Sequence, residues 1–284
     1  MSGRFGDRLL TAVAAAGPLC VGIDPHPGLL ADWGLPDDAD GLERFAETCL
    51  AAFGGAVSVV KPQSAFFERH GSAGVAVLER LLAGFVGTST LTLLDAKRGD
   101  IGSTMDGYAD AYLRPGAPLG ADAVTLSPYL GFGSLEPALS AAAEAGRGVF
   151  VLARTSNAEG GPVQTAVLGG AEGPASSVAQ SMVDGAAARN AGAAACGDVG
   201  VVVGATGEHG LDLSTLNGPV LVPGLGAQGA TPDDVAARFA GTGGPVLPAA
   251  ARSVLQAGPD RSALRDAAVA LSGELTTALG ATRG

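Results

Sequence analysis

Short runs of apolar and β-branched residues alternate along the chain with longer segments in which apolar positions recur at helical spacing. The short runs predict strands at residues 19–24, 57–61, 90–97, 123–127, 148–153, 200–204, 220–223 and 245–250. The longer segments predict helices near residues 41–53, 73–86, 103–113, 134–145, 176–196, 210–216, 232–240 and 259–279. Such regular alternation is typical of parallel βαβ units.

Eight strand–helix units in about 250 residues match the (β/α)8 TIM barrel, a fold of the α/β class, and an open doubly wound sheet is the alternative. No low-complexity linker interrupts the pattern, so residues 1–284 are expected to form one barrel domain. The predicted connections 25–40, 63–72 and 154–174 are long, and each follows a strand. Because the loops after the strands of a barrel surround its active site, these three connections predict a functional rim.

The N-terminal segment superficially resembles a signal peptide, with basic residues before the apolar run 9–16. The helical spacing of Phe5, Leu9 and Val13, followed by a Gly-Pro stop, favours instead a helix over about residues 3–16 that precedes the first strand. No apolar run approaches the roughly 20 residues that a membrane helix needs. We therefore expect no membrane partner.

The composition excludes several classes of function. Hydrophobic residues make up 47% of the chain, enough for a full core, and the formal net charge of −11 has the wrong sign for binding nucleic acid. Cys20, Cys49 and Cys196 lie far apart in apolar runs, which predicts buried free thiols and a cytoplasmic, reducing compartment. The three histidines form no metal-binding pair and no G-x-S-x-G motif occurs, which argues against zinc enzymes and triad hydrolases.

Lysine is rare in this chain, and both copies fall where predicted strands end. Lys61 and Lys97 occupy these positions, whereas the other basic side chains are 15 arginines. A lysine ammonium can give up a proton, whereas the guanidinium of arginine stays charged. A barrel would aim both lysines into its mouth, which predicts a role in the site; two ordinary salt-bridged lysines are the alternative.

Carboxylates flank the second lysine in the segment DAKRGD at residues 95–100. Asp95 and Lys97 share one face of the strand, and Gly99 lets the chain turn so that Asp100 leaves the strand axis. Nearby carboxylates keep a lysine protonated even when it is partly desolvated. The segment therefore predicts a poised general acid, with a structural ion network at the rim as the alternative.

A glycine-rich motif, GLGAQG at residues 224–229, follows the predicted strand 220–223. It does not favour a dinucleotide site, because the next strand ends without the acidic residue that such sites place about 20 positions on. In barrels, the loops after the seventh and eighth strands commonly bind phosphate. Gln228 and Arg252 are the candidate phosphate ligands, and simple tight turns are the alternative. His26, also on the rim, is expected to bond to backbone rather than to a ligand.

Seven motifs, in order along the chain, resemble those of the orotidine 5'-phosphate decarboxylases, and specifically of their longer bacterial branch. They are VGIDP at 21–25, VKPQSAFFE at 60–68, LDAKRGDIGST at 94–104, SPYLG at 127–131, TSN at 155–157, GAQG at 226–229 and ARS at 251–253. One departure is Ala158, where the family often has proline, and it puts the rigidity of that loop in question.

The resemblance implies decarboxylation of orotidine 5'-monophosphate to uridine 5'-monophosphate, without a cofactor, in pyrimidine biosynthesis. Lys97 resembles the lysine that protonates C6 of the pyrimidine, and Asp95 the carboxylate beside the departing carboxyl group. Lys61 and Asp100 resemble the other members of an alternating Lys-Asp-Lys-Asp array. The remaining implied contacts are Asp24 for the ribose, Ser156 for the pyrimidine, Gln228 and Arg252 for the phosphate, and Asp100 with Thr104 from the second subunit of a homodimer.

Two rival hypotheses remain at this point. One is a related barrel lyase that acts on a sugar phosphate and binds magnesium through the acidic residues around Lys97. The other is a barrel that binds a phosphate ligand without turning it over, since a fold by itself does not establish catalysis.

Overall fold

Parallel strands close into a barrel in the computed structural model, which describes residues 3–169 and 176–281. The barrel strands are Cys20–Ile23, Val59–Pro62, Leu91–Arg98, Ala123–Leu126, Gly148–Arg154, Val199–Val203, Val220–Pro223 and Val246–Ala250. Each pairs with its neighbours in chain order, and the last returns to the first by pairing Ala249 with Cys20 and Ala250 with Val21. The predicted TIM barrel is confirmed, and the open sheet is excluded.

The strands are almost continuously apolar because both of their faces are buried, one in the barrel interior and one under the helices. Val199–Val203, for example, is buried at every position. The side chains that point inward form one hydrophobic cluster, and those that point outward form a second, larger cluster with the helices.

Helices surround the barrel. They are Phe5–Ala16, Pro27–Asp32, Ala39–Phe53, Ser64–Glu68, Gly71–Phe85, Gly102–Tyr112, Glu136–Ala145, Gly161–Gln164, Val178–Asn190, Pro232–Arg238, Arg252–Leu255 and Arg261–Ala281, with 3-10 turns at Phe132–Leu135 and Ala158–Gly160. Short helices therefore lie inside the three connections that sequence analysis left without structure. Val167–Leu168 of the third connection pairs in an antiparallel two-stranded sheet with Ser176–Ser177, where the predicted helix 176–196 was expected to begin. Residues 170–174 of this connection and residue 175 lie outside the described residues.

The predicted helix at 210–216 is wrong. This segment is a loop, and its residues Leu211, Leu213 and Leu216 are each buried. Asp212 Oδ1 accepts hydrogen bonds from the backbone N–H and the hydroxyl of Ser214, at 2.9 and 2.6 Å, a local arrangement that competes with helix formation. Apolar spacing alone did not distinguish this loop from a helix.

The predicted helix at 176–196 is too long at its C-terminal end. It stops at Asn190, whose buried side chain donates to the carbonyls of Val199 and Leu216, at 2.7 and 2.9 Å, and accepts the N–H of Val199. Gly192 then adopts a φ of +90°, which a helix does not allow. The side chain of Asn190 therefore ties the helix end to the start of the sixth barrel strand.

The N-terminal helix Phe5–Ala16 covers the end of the barrel where the strands begin. Phe5 and Leu9 are buried in the inner cluster, and the ring of Phe5 packs edge-on against Phe150 with centroids 6.0 Å apart. Cys20, Cys49 and Cys196 are free and buried, as predicted. Burial raises the pKa of Cys20 and Cys196 to about 12. Among residues 3–169 and 176–281, no helix is long and apolar enough to cross a membrane.

Candidate active site

A cavity of about 350 Å³ opens where the barrel strands end. Its walls come from the strand ends and from the loops after six of the eight strands; the third and fourth strands contribute residues of the strands themselves. Its polar lining side chains are Asp24, His26, Lys61, Gln63, Asp95, Lys97, Thr125, Thr155, Ser156, Asn157, Gln228 and Arg252. The long connections predicted as a functional rim therefore do meet around one cavity.

Asp95 lies at the centre of a chain of charges in this cavity. Its Oδ2 accepts a hydrogen bond from Lys61 Nζ at 2.9 Å, and its Oδ1 accepts one from Lys97 Nζ at 2.7 Å. Lys61 and Asp95 are each 6% exposed. Within one chain, the arrangement is thus one carboxylate between two ammonium groups.

These contacts determine the protonation of the pair. Burial alone raises the pKa of Asp95, but the nearby Lys61 and Lys97 outweigh it and hold the pKa of this carboxyl well below its usual range. Burial alone lowers the pKa of Lys61, but the attraction of Asp95 and Asp24 raises it above the ordinary lysine value. At neutral pH the buried pair is therefore ionised on both sides.

Two further side chains orient this array. Thr125 Oγ1 donates to Asp95 Oδ1 at 2.8 Å, so this oxygen receives two hydrogen bonds. Gln63 donates from Nε2 to the backbone carbonyl of Asp95 at 3.3 Å, and its Oε1 lies 3.5 Å from Lys97 Nζ. The lysine from the third strand is in this way held from two neighbouring strands.

Asp24 stands out because its Oδ1 is buried and has no hydrogen-bond partner among the described residues. A buried carboxylate oxygen without a donor is costly, so its position in the cavity wall suits a ligand that brings hydroxyl groups. His26, next to it on the rim, packs against Phe66 with ring centroids 4.1 Å apart.

The other side of the cavity carries the candidate phosphate ligands. Gln228 and Arg252 both line it, and Ser156 Oγ donates to Gln228 Oε1 at 3.0 Å. Arg252 is the first residue of the helix Arg252–Leu255. Gly224 and Gly226 adopt φ of +114° and +69°, which lets the loop after the seventh strand turn its backbone toward the cavity.

Comparison with known proteins places this arrangement in a family. Residues 17–267 match the model of the orotidine 5'-phosphate decarboxylase / HUMPS family. The chain belongs to this family. Among its curated relatives, an orotidine 5'-phosphate decarboxylase of Salinispora arenicola is 59% identical over 93% of this chain and 94% of its own length. One of Streptomyces coelicolor is 53% identical over 98% of this chain and 99% of its own length.

The family fold is also found among solved structures. A crystal structure from Streptomyces avermitilis, named for the same decarboxylase activity, matches with a TM-score of 0.92 and 53% identity over 98% of this chain and 97% of that one. More distant family structures are similar in fold alone; one from Methanocaldococcus jannaschii has a TM-score of 0.62 at 15% identity.

Two residues that the family resemblance implies do not line the cavity of a single chain. Asp100 follows the third strand, where its Oδ1 accepts the N–H of Ile101 at 2.8 Å, and Thr104 is exposed on the helix Gly102–Tyr112. Their predicted contribution to the site of a second subunit stays a prediction.

Sequence reasoning did not select Thr125 and Gln63 as site residues. Thr125 is the polar residue in the otherwise apolar strand Ala123–Leu126, which is a signal that was available in the sequence. Gln63 follows the second strand, within the motif VKPQSAFFE at residues 60–68, but no contact was predicted for it. Within the part of the chain that the structure describes, no group of three or more His, Cys, Asp or Glu residues is arranged to hold a metal ion.

Proposed function

We propose that this chain is a carboxy-lyase that converts orotidine 5'-monophosphate to uridine 5'-monophosphate and carbon dioxide, in pyrimidine biosynthesis and without a cofactor. The observation that carries the proposal is the Lys61–Asp95–Lys97 array, bonded in sequence at 2.9 and 2.7 Å in the mouth of the barrel. Relatives at 59% and 53% identity that carry this activity in their names support it.

The cavity offers a place for each part of the nucleotide. Gln228 and Arg252 would hold the phosphate, since a guanidinium forms paired charge-assisted hydrogen bonds with phosphate oxygens. The unpartnered Oδ1 of Asp24 would accept hydrogen bonds from the ribose hydroxyls. Ser156 would contact the pyrimidine, which brings the ring toward Asp95 and Lys97.

The chemistry needs a fixed positive charge at one carbon atom. The bond between C6 and the carboxylate carbon breaks, carbon dioxide leaves, and the electron pair stays on C6, where no carbonyl delocalises it. The Nζ of Lys97 stabilises this charge and transfers a proton to C6, and the lysine then regains a proton from solvent. Asp95 keeps the ammonium in place and protonated until that transfer.

The array alone does not account for the whole rate enhancement. A preorganised charge in a water-poor site contributes about 3–4 kcal/mol, whereas enzymes lower barriers by about 8–23 kcal/mol. Binding energy from the remote phosphate, through Gln228 and Arg252, supplies a further part by holding the ring against Asp95. We therefore expect truncated substrates without the phosphate to lose kcat as well as affinity.

A homodimer with shared sites belongs to the same proposal. Next to Asp100 and Thr104, the rim exposes large apolar side chains: Ile101 is 61% exposed, Tyr129 82% and Leu130 53%. A second copy that covers these side chains would bring Asp100 and Thr104 to its partner's cavity. One barrel domain per chain and a cytoplasmic location, suggested by the three free thiols, complete the proposal.

Turnover by the purified protein in the presence of EDTA tests the reaction. We expect conversion of orotidine 5'-monophosphate with and without the chelator, whereas a strict need for a divalent metal would favour the sugar-phosphate lyase. Lys97→Ala should abolish turnover and keep the fold. A rate within tenfold of the wild type would contradict the role of Lys97, and tight nucleotide binding without any turnover by the wild type would favour the binding protein.

Mixing two inactive variants tests the shared sites. Asp100→Ala and Lys97→Ala chains should each be inactive alone, and mixed dimers should regain part of the activity because one of their two sites has both residues intact. With subunit exchange verified by mass spectrometry, no recovery would show that each site is built from a single chain.

A further inference from the structure

The third barrel strand bulges at the residues that carry the proposed chemistry. In its pairing with the fourth strand, Leu94 lies opposite Val124 and Arg98 lies opposite Leu126. Three residues, Asp95 to Lys97, are therefore opposite Thr125 alone. Such a bulge interrupts the ladder of backbone hydrogen bonds between the two strands, so backbone N–H groups in the bulge need other acceptors.

The side chain of Thr125 takes the place of the missing ladder acceptor. The backbone N–H of Lys97 donates to Thr125 Oγ1 at 3.0 Å. Lys97 has a φ of +49°, in the left-handed region that residues other than glycine rarely adopt. The free-energy cost of this backbone conformation is comparable to the stability that one hydrogen bond contributes. This contact therefore holds the backbone of the lysine in a conformation that it does not prefer.

The same hydroxyl also fixes the carboxylate. Because Oγ1 accepts the N–H of Lys97, its own hydrogen is available to Asp95 Oδ1, which lies 2.8 Å away. Oδ1 is also the oxygen that accepts Lys97 Nζ, whereas Oδ2 faces Lys61. Thr125 is 2% exposed, so bulk water does not compete for either contact.

We propose that Thr125 is a positioning residue for the decarboxylation: its hydroxyl couples the strained backbone of Lys97 to the carboxylate of Asp95 and thereby aims the lysine ammonium. This inference rests on the proposed function. It assigns to the fourth strand a part in the reaction, although Thr125 itself contributes no charge and no transferable proton.

Thr125→Val is the direct test because valine has the same shape and no hydroxyl. We expect kcat to fall at least tenfold while KM stays within threefold, since the phosphate and ribose contacts are untouched. The acid limb of the kcat profile should move to higher pH because Asp95 loses a donor that favours its ionised form. Thr125→Ser keeps the hydroxyl and should recover kcat to within threefold of the wild type.

Thr92 provides a matched control at the opposite end of the barrel. Its hydroxyl donates to Asp122 Oδ2 at 3.1 Å and accepts the N–H of Asp122 at 3.0 Å, the same pair of contacts in a residue that is 4% exposed. Thr92→Val should lower the unfolding temperature and leave kcat and its pH profile unchanged. If both valine variants lose kcat alike, or if Thr125→Val keeps kcat within twofold, the positioning role is refuted.

A crystal structure of Thr125→Val distinguishes this inference from the proposed function. The variant should show Lys97 Nζ beyond 3.5 Å from Asp95 Oδ1 or Lys97 outside the left-handed region. Unchanged positions of both residues would overturn the inference, whatever the activity. A wild type that does not turn over orotidine 5'-monophosphate would overturn the proposed function, and the displacement in the variant would still decide whether Thr125 positions Lys97.

Discussion

The Lys61–Asp95 pair allows a quantitative prediction about stability. Both residues are 6% exposed, and their charged atoms are 2.9 Å apart. Lys61→Met keeps most of the length of the side chain and removes its charge. Removal of one partner from a buried ion pair costs about 3–5 kcal/mol, because the remaining charge is left without compensation.

The remaining contacts of Asp95 or Lys61 determine how much stability each variant loses within the range of about 3–5 kcal/mol. After Lys61→Met, Asp95 still accepts from Lys97 at 2.7 Å and Thr125 at 2.8 Å, so we expect a loss of about 3 kcal/mol. After Asp95→Asn, Lys61 stays buried without a carboxylate partner at 2.9 Å, and the loss should be near 5 kcal/mol. The double variant removes both charges and should be more stable than Asp95→Asn alone.

Urea unfolding at pH 7 measures these differences independently of catalysis. The single tryptophan, Trp33, is buried and packs against Phe45 at 4.5 Å between ring centroids, so its fluorescence reports unfolding. Arg80→Met, in the exposed pair of Arg80 and Glu43, is the control and should cost only about 0–1 kcal/mol. The reasoning is refuted if Lys61→Met costs no more than this control, or if the double variant is less stable than Asp95→Asn.

Three further predictions concern pH, backbone space and phosphate binding. Lys61 and Lys97 outweigh burial and lower the pKa of Asp95, so the ionised Asp95 contributes its full stability above its unfolded pKa of about 4 and loses it as the pH falls below that value. Calorimetry should show that the unfolding temperature declines below about pH 4. An equally steep decline in Asp95→Asn would contradict this. A Cβ on Gly99 would clash with the backbone carbonyl oxygen of Ser127, so Gly99→Ala should displace the turn after Lys97. We expect kcat to fall at least tenfold in steady-state assays, while circular dichroism shows a folded protein. Arg252→Met should lower kcat/KM about 10–100-fold, the equivalent of a charged hydrogen bond worth about 1.5–3 kcal/mol; an unchanged value would place the phosphate elsewhere.

The barrel was predictable because each strand is a short apolar run with helical spacing on either side. Residues 220–223 were predicted at the bounds that the structure shows, and the other strands differ by one or two residues at an end. The errors arose where side chains compete with helix formation. Asp212 accepts local hydrogen bonds in a loop that has apolar spacing, and Asn190 ends a helix by bonding to Val199, at the start of the next strand, and to the loop residue Leu216.

The site was predictable as far as strand ends determine it. Lys61, Asp95 and Lys97 lie together because parallel strands end at the same rim of a barrel. The bulge opposite Thr125 was not predictable, because it depends on the register between two strands. An alternating pattern fixes the register where only one face is buried, but these strands are buried on both faces and have no such alternation. Asp100 and Thr104 lie outside the cavity of one chain, and no pattern within a single sequence locates a partner.

The helix Phe5–Ala16 has a consequence for the traffic of molecules through the barrel. Phe5 and Leu9 belong to the same inner cluster as Val202 and Leu221, which form part of the floor of the cavity. The barrel is therefore closed at the end where its strands begin. In the part of the chain that the structure describes, substrate, product, carbon dioxide and water therefore pass through the same opening. Product has to be released through it before the next substrate can bind.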